Sequence, residues 1–346
     1  MSAKKFFLFW TLAFILACNL PQEKATPILD VEPRPSAPAE PTNVPTQVSK
    51  SAPTPAPPAA SVTLGGCPVF PANSYWNTPI DALPVHPDSD AWIDDIGRSA
   101  GFHMDFGSGL WDGGAIGIPY NLAAQAPFYS FSFYYPEESD LGPYPIPANA
   151  VREYGRDHHI LTIETETCLL YEIYDASFDG GQWSGGSGAI WDLTSNALRP
   201  DGWTSADVAG LPILPGLIRY DEILAGEIRH ALRVTAHRSA GYIWPARHPI
   251  SNFEQGVPPM GARFRLKAEY DVSGFPRELQ IILQAFKTYG IILADHGADW
   301  YVSGAPDERW DNDMLHLLDV LQGGDFEAVD SSQMMIDENF GEAKQR

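Results

Sequence analysis

Between residues 128 and 270 the chain returns repeatedly to short runs of β-branched and aromatic residues, and these runs most narrow what it can fold into. They lie at 128–135, 160–166, 169–174, 228–235, 242–244 and 263–270. Several alternate with period two, which places successive side chains on opposite faces of a strand. The 160–166 and 169–174 runs read as a hairpin with Thr167 and Cys168 near its turn. The chain carries 30 Gly and 31 Pro without a period, so turns and irregular loops join these strands, and neither collagen nor a helical bundle fits.

Helical signals gather near the C-terminus. Pro276 suits a first helical turn, and Leu279, Ile282, Leu283, Phe286 and Tyr289 form one apolar face. Gly290 then stops the helix, and 291–294 reads as a buried strand. A second helix starts at Asp311 as N-cap, with Met314, Leu317, Leu318 and Leu321 inward. A shorter one covers 91–98. The expected fold is mainly β (α+β), a curved antiparallel β-sandwich with two or three peripheral helices.

The N-terminus has a different character. Lys4 and Lys5 precede twelve residues, 6–17, of which only Thr11 is polar, too few to span about 30 Å of hydrocarbon as a helix. Ile15-Leu16-Ala17-Cys18 resembles the lipobox of bacterial lipoproteins. That resemblance implies a signal peptide at 1–17, cleavage before Cys18 and lipidation of Cys18. Residues 19–62 hold eleven of the 31 prolines and no aromatic residue, so 18–62 is expected to be a lipidated cysteine followed by a disordered, extended stalk. Residues 63–330 then form a single β-rich globular domain and 331–346 a flexible tail. The expected address is the cell envelope, with the protein lipid-anchored to the outer face of a bacterial membrane and touching that membrane only through the anchor.

With Cys18 committed to lipid, Cys67 and Cys168 remain in an oxidising compartment. They are expected to form one disulfide, which leaves no thiol for catalysis and no close cysteine pair for zinc.

The formal net charge of −22 argues against a nucleic-acid partner, because phosphate binding rests on an excess of Lys and Arg. One window inverts it: between Arg219 and Lys267 eight basic residues meet four acidic ones. Alternation puts Glu227, Arg229 and Arg233 on one strand face and Arg263, Arg265 and Lys267 on another, a cationic surface able to bind carboxylates or hydroxyls of a polymer. The plainer reading is a solvated face balanced by Glu164 and Glu172 of the hairpin.

A second cluster lies in the Gly- and Pro-rich stretch 185–216. Trp191 and Trp203 are candidate sugar platforms, and Asp192, Asp201 and Asp207 are candidate carboxylates for glycoside hydrolysis, which needs an acid and a nucleophile or base. A third cluster is His103 with Asp105 and Asp112. Asp295-His296 follows the buried 291–294 run and His248 follows Trp244-Pro245-Ala246-Arg247, both suited to acid–base work. His230 reads as a satisfied core histidine, and His316 as exposed on its helix. No Walker loop, GxSxG elbow, HExxH or dinucleotide fingerprint occurs. No metal site is assigned and no cofactor is expected; the many aspartates leave calcium open, although no EF-hand spacing is present.

The segments CPVFP (67–71), WDGGAIGIPY (111–120), GSGAIWDL (186–193), LRPDGWTSADVAGLPILPG (198–216), HALR (230–233), WPARH (244–248), PPMGARFRLKA (258–268) and SGAPDERW (303–310) together resemble a family of secreted bacterial proteins without an assigned activity. Its members look like proteins sometimes joined to carbohydrate-binding modules, which implies extracellular polysaccharide or a cell-wall polymer as partner and transfers no catalytic residue. The functional expectation is a surface lipoprotein acting on polysaccharide. In the hydrolase form Asp192 pairs with Asp201, Asp207 or Glu227. In the lyase form Arg233 or Arg263 neutralises a uronate while His103 or a tyrosine takes the proton. The alternative is a non-catalytic glycan-binding or structural surface lipoprotein, and oligomeric state is left open.

Overall fold

The computed structural model describes residues 63–345; the signal segment, Cys18 and the Pro-rich stretch lie outside them. Strands predominate over helices, in several mixed sheets of which one is curled. Two sheets frame the domain, built from ten strands: β1 (His103–Asp105), β2 (Tyr120–Ala123), β3 (Ile160–Glu164), β4 (Leu169–Ile173), β5 (Gly188–Asp192), β6 (Leu232–Ala236), β7 (Arg263–Leu266), β8 (Ile291–His296), β9 (Tyr301–Ser303) and β10 (Phe326–Ala328). The first sheet has the order β5-β4-β3-β2 and the second β10-β7-β8-β6-β9-β1. The β3–β4 hairpin is antiparallel, with Cys168 near its turn at a φ of 56°. Parallel pairs β2–β3, β6–β8 and β1–β9 make both sheets mixed.

Both sheets contribute to one contiguous core, in which Leu161, Ile163 and Leu170 of the first sheet join Leu232, Val234, Phe264 and Leu293 of the second. The opposite face of the first sheet is also covered: Ile160, Tyr171 and Ile173 pack with Phe131, Phe133 and Trp183 of a small three-stranded sheet. Every residue of β3 is therefore buried, including the polar Thr162 and Glu164.

Helix α1 is Ser89–Ile96, α2 is Tyr220–Ala225 and α3 is Arg277–Thr288. The apolar side of α3 buries Leu279, Ile282, Leu283 and Phe286, as its spacing predicts. Gly290 follows at a φ of 69°, and an added Cβ there would meet the Phe264 carbonyl at 2.2 Å, so only glycine fits. Asp311 caps the next helix by accepting from the Met314 amide, but that helix spans only Asn312–Leu315 and continues as a 3₁₀ turn.

Two expectations are corrected. The 242–244 run forms no strand and makes a single bridge, Tyr242 with Met260. Its neighbours Pro258 and Pro259 have no N–H to offer a ladder. The stretch 331–345 is no free tail: Gly341 accepts from the Tyr75 amide, Ala343 donates to Asn73, and Met334 and Ala343 are buried.

Cys67 and Cys168 form the expected disulfide, 101 residues apart in sequence. Closing a loop of that length contributes about 2–4 kcal/mol. Replacing both cysteines by serine is expected to lower the midpoint of thermal unfolding by several degrees, measured by calorimetry; an unchanged midpoint would contradict this role.

Candidate functional site

The site begins with an irregularity in β8. Val234 pairs with Leu293, but the next residue, Thr235, pairs with Asp295, leaving Ala294 as the extra residue of a bulge. A one-residue shift moves every following side chain to the other face. Without it Asp295 would face away from Arg233 of β6; with it the two share a side. The Ala294 carbonyl, released from the ladder, accepts the Ala209 amide at 2.9 Å and so docks the preceding loop against the strand end.

That docking assembles a buried charge network. Arg233 donates to both oxygens of Asp207, to Asp295 at 2.9 Å and to the Ser303 hydroxyl at 2.6 Å. Asp207 takes two of the guanidinium nitrogens and Asp295 one bond from it, the other Asp295 oxygen accepting from the His296 amide at 2.8 Å. Behind them His159 contacts Glu153 through Nδ1 and the Ala206 carbonyl through Nε2, so both ring nitrogens must donate. Burial opposes that charge, but Glu153 overcomes it and pushes the imidazole up to about 9. Two cations thus meet three carboxylates, an imbalance that favours the protonated form of Asp295. Burial, reinforced by Asp207, raises that carboxyl from 3.8 to about 7.

Asp295 still reaches solvent, its side chain 14% exposed, at the wall of a cleft of about 500 Å³. Tyr135, Glu138, Asp157, Tyr174, His248 and His296 line the same cleft. The Val208 peptide links two of these groups: its N–H lies 3.4 Å from Asp295, and its carbonyl accepts from His248 Nδ1 at 2.9 Å. His248 Nε2 is thereby left to face Glu138, 3.6 Å away. Glu138 also accepts from the Thr204 amide at 3.1 Å. Among the described residues no cluster of three or more His, Cys, Asp or Glu is arranged to hold a metal ion.

Of the residues singled out in the sequence, Asp207, Asp295, His296 and His248 meet in this cleft, with Arg233 directly behind. The others do not. Asp192 is exposed and closes a turn by accepting from Thr194. Asp201 accepts from the Tyr242 hydroxyl in a separate depression. Trp191 is core, and Trp203 is half-buried against Arg199, whose guanidinium lies 5.4 Å from its ring. Glu227 pairs with Arg229 beside α3. His103 lines a different cavity.

The expected cationic sheet face is absent for a physical reason. Strand β6 starts only at Leu232, so Arg229 lies outside it, and Arg233 and Arg263 point inward and are buried. Arg263 donates to the carbonyls of Tyr75, Thr78 and Tyr289, Arg265 to those of Ile80, Asp81 and Leu83, and Lys267 to that of Gly324. These cations hold loops. Glu164 and Glu172 do not balance them either: Glu164 caps its own turn, and Glu172 accepts the amides of Ile213 and Leu214.

The sequence reading missed Glu138, Asp157, Glu153 and His159. Only His159 left a signal, sitting immediately before the apolar run at 160. No family model, no curated protein and no solved structure matches the chain.

Glu172 supplies a test of this buried electrostatics. Burial raises its carboxyl from 4.5 to about 7. The folded chain therefore holds a proton between those values that the unfolded chain has lost, and stability falls as pH rises through that window, by roughly 3 kcal/mol. Glu172→Gln keeps an oxygen acceptor for Ile213 and Leu214 but cannot ionise. At pH 8 its unfolding midpoint should equal or exceed that of the wild type, whereas Glu172→Ala should fall well below. A glutamine variant as unstable as the alanine one would contradict the assignment.

Proposed function

We propose that the protein hydrolyses glycosidic bonds of an extracellular polysaccharide in the Asp295 cleft, while held at the cell envelope by a lipid on Cys18. One observation carries the reading: a carboxyl held at about 7 stands at the wall of a cleft large enough for a ligand. Such a group donates a proton to a leaving oxygen at neutral pH. Glu138 supplies the second carboxyl that glycoside hydrolysis needs, with His248 beside it. Tyr135 and Tyr174 offer rings for sugar contact.

The geometry favours hydrolysis over elimination from a uronate. Elimination is aided by a cation at the substrate carboxylate, yet among the described residues no Lys or Arg lines the cleft, and Arg233 and Arg263 are committed inside. The resemblance of the 186–193 and 198–216 segments to secreted bacterial proteins associated with carbohydrate-binding modules supports the choice of substrate class. The apolar start and the lipobox-like 15–18 support the anchor. Among the described residues no helix is long and apolar enough to cross a membrane.

Reducing ends released from a panel of plant and bacterial polysaccharides test the activity. Asp295→Asn should lower kcat by about 10²–10⁴-fold with little loss of thermal stability. Because Asp295 must be protonated to act, activity should be present below about pH 7 and fall as pH rises through that value. Polysaccharide retained without new reducing ends, equally in wild type and Asp295→Asn, would replace this reading with a non-catalytic glycan-binding one. The anchor has its own check: Cys18→Ser should move the protein from the membrane fraction to the soluble fraction, and an unchanged distribution would remove it.

A further inference from the structure

A second cavity, of about 550 Å³, lies at the free edge of the six-stranded sheet, where β1 is the last strand. It holds the His103–Asp105 pair that the sequence singled out and the cleft does not use. Its walls are of two kinds. Trp111 and Tyr301 supply rings, the latter packed on His103 with centroids 4.5 Å apart. Asp105, His316 and Asp319 supply polar groups, His316 bonding Asp319 at 3.0 Å. Among the described residues no Lys or Arg lines it.

The unusual element is Trp111. It sits on a two-residue strand, Leu110–Trp111, with its surface 76% exposed, and Leu110 beside it is as open. Exposed tryptophan is costly to keep in water, so its surroundings matter. The hairpin carrying it is pinned from both ends. The Tyr154 ring packs so closely on Gly114 that an added Cβ would meet it at 1.8 Å, and the Tyr154 hydroxyl donates to the Asp112 carbonyl. At the other end Asn312 both accepts from the Ser108 amide and donates to the Ser108 carbonyl, approaching Gly107 too closely for any side chain there. The backbone is fixed while the indole is left open. An indole on a preorganised hairpin, above a cavity of ligand size with acceptors and, among the described residues, no Lys or Arg, suits a ring with apolar faces and hydroxyl edges.

We infer that this cavity is a second glycan-binding site, with Trp111 as its stacking platform and Asp105 and Asp319 as hydroxyl acceptors, selecting neutral over anionic sugars. It shares with the proposed function only the class of ligand. The two sites are close neighbours: Asp105 pairs across strands with Ser303, whose hydroxyl holds Arg233, which holds Asp295. An extended polysaccharide that engages both gains from the second contact as its chain length grows.

The test uses the full chain carrying Asp295→Asn, so that ligand is not consumed, with and without Trp111→Ala. Neutral β-1,4-linked glucose, xylose and N-acetylglucosamine oligomers of two and six units, and a hexauronate, are titrated by calorimetry and tryptophan emission. In at least one neutral series the hexamer should bind on the order of tenfold tighter than the dimer, a difference of about 1.4 kcal/mol. Trp111→Ala should abolish that advantage and the emission change, and the hexauronate should not bind. Asp105→Asn should weaken hexamer binding in the same direction. Equal hexamer affinity with and without Trp111, or preference for the hexauronate, would overturn the inference. Reducing-end release by the wild type is scored separately, so a failed hydrolase with Trp111-dependent binding and an active hydrolase without it are distinct results.

Discussion

A single buried guanidinium, that of Arg233, faces two carboxylates, and the candidate site depends on that mismatch. Asp207 takes the guanidinium bidentately, while Asp295 receives one bond at the edge of the cleft. The His159–Glu153 pair behind them adds no net charge. One negative charge is therefore in excess in a region that solvates charge poorly, and protonating Asp295 removes it. The same arrangement ties β6, β8, β9 and the 204–209 loop together, so the chemistry and the local fold share their bonds.

Five of the remaining basic residues of the window 219–267, Arg219, Arg247, Arg263, Arg265 and Lys267, obey a related constraint. A chain this rich in Gly and Pro turns often and leaves many loop carbonyls without a ladder partner. Arginine offers five donors in a fixed fork. Arg219 holds the Leu214 carbonyl, Arg247 those of Arg199 and Glu338, and Arg263 three more. Much of the local excess of positive charge is thus consumed inside the domain as structural support, Arg229 and Arg238 pairing with carboxylates nearer the surface, and the Arg247 bond to Glu338 helps bind 331–345.

The β-rich class, the β3–β4 hairpin, α3 and its glycine stop, and the Cys67–Cys168 pairing were legible because each rests on local periodicity, a cap or simple cysteine arithmetic. The role of Arg233 was not. Alternation predicts an outward side chain only for a strand with one wet face, and β6 is buried throughout. Asp295 was singled out for its place at a strand end, yet its aim depends on the bulge at Ala294, which has no signature in IILADH. Glu138, from a 3₁₀ turn, and Asp157, from a loop, are brought to the cleft by tertiary packing alone. Asp192 and Asp201 were attractive by composition, but composition does not separate a turn-closing aspartate from a catalytic one.

The central claim is that the Arg233 network keeps one carboxyl protonated at the cleft. Its most direct measurement is a pH titration of aspartate side-chain carboxyls by carbon-13 nuclear magnetic resonance, with Asp295→Asn used to assign the signal. The account predicts one aspartate titrating near 7 that disappears in the variant. If every aspartate carboxyl titrates below about pH 5, the network does not hold the proton and the acid role of Asp295 falls with it.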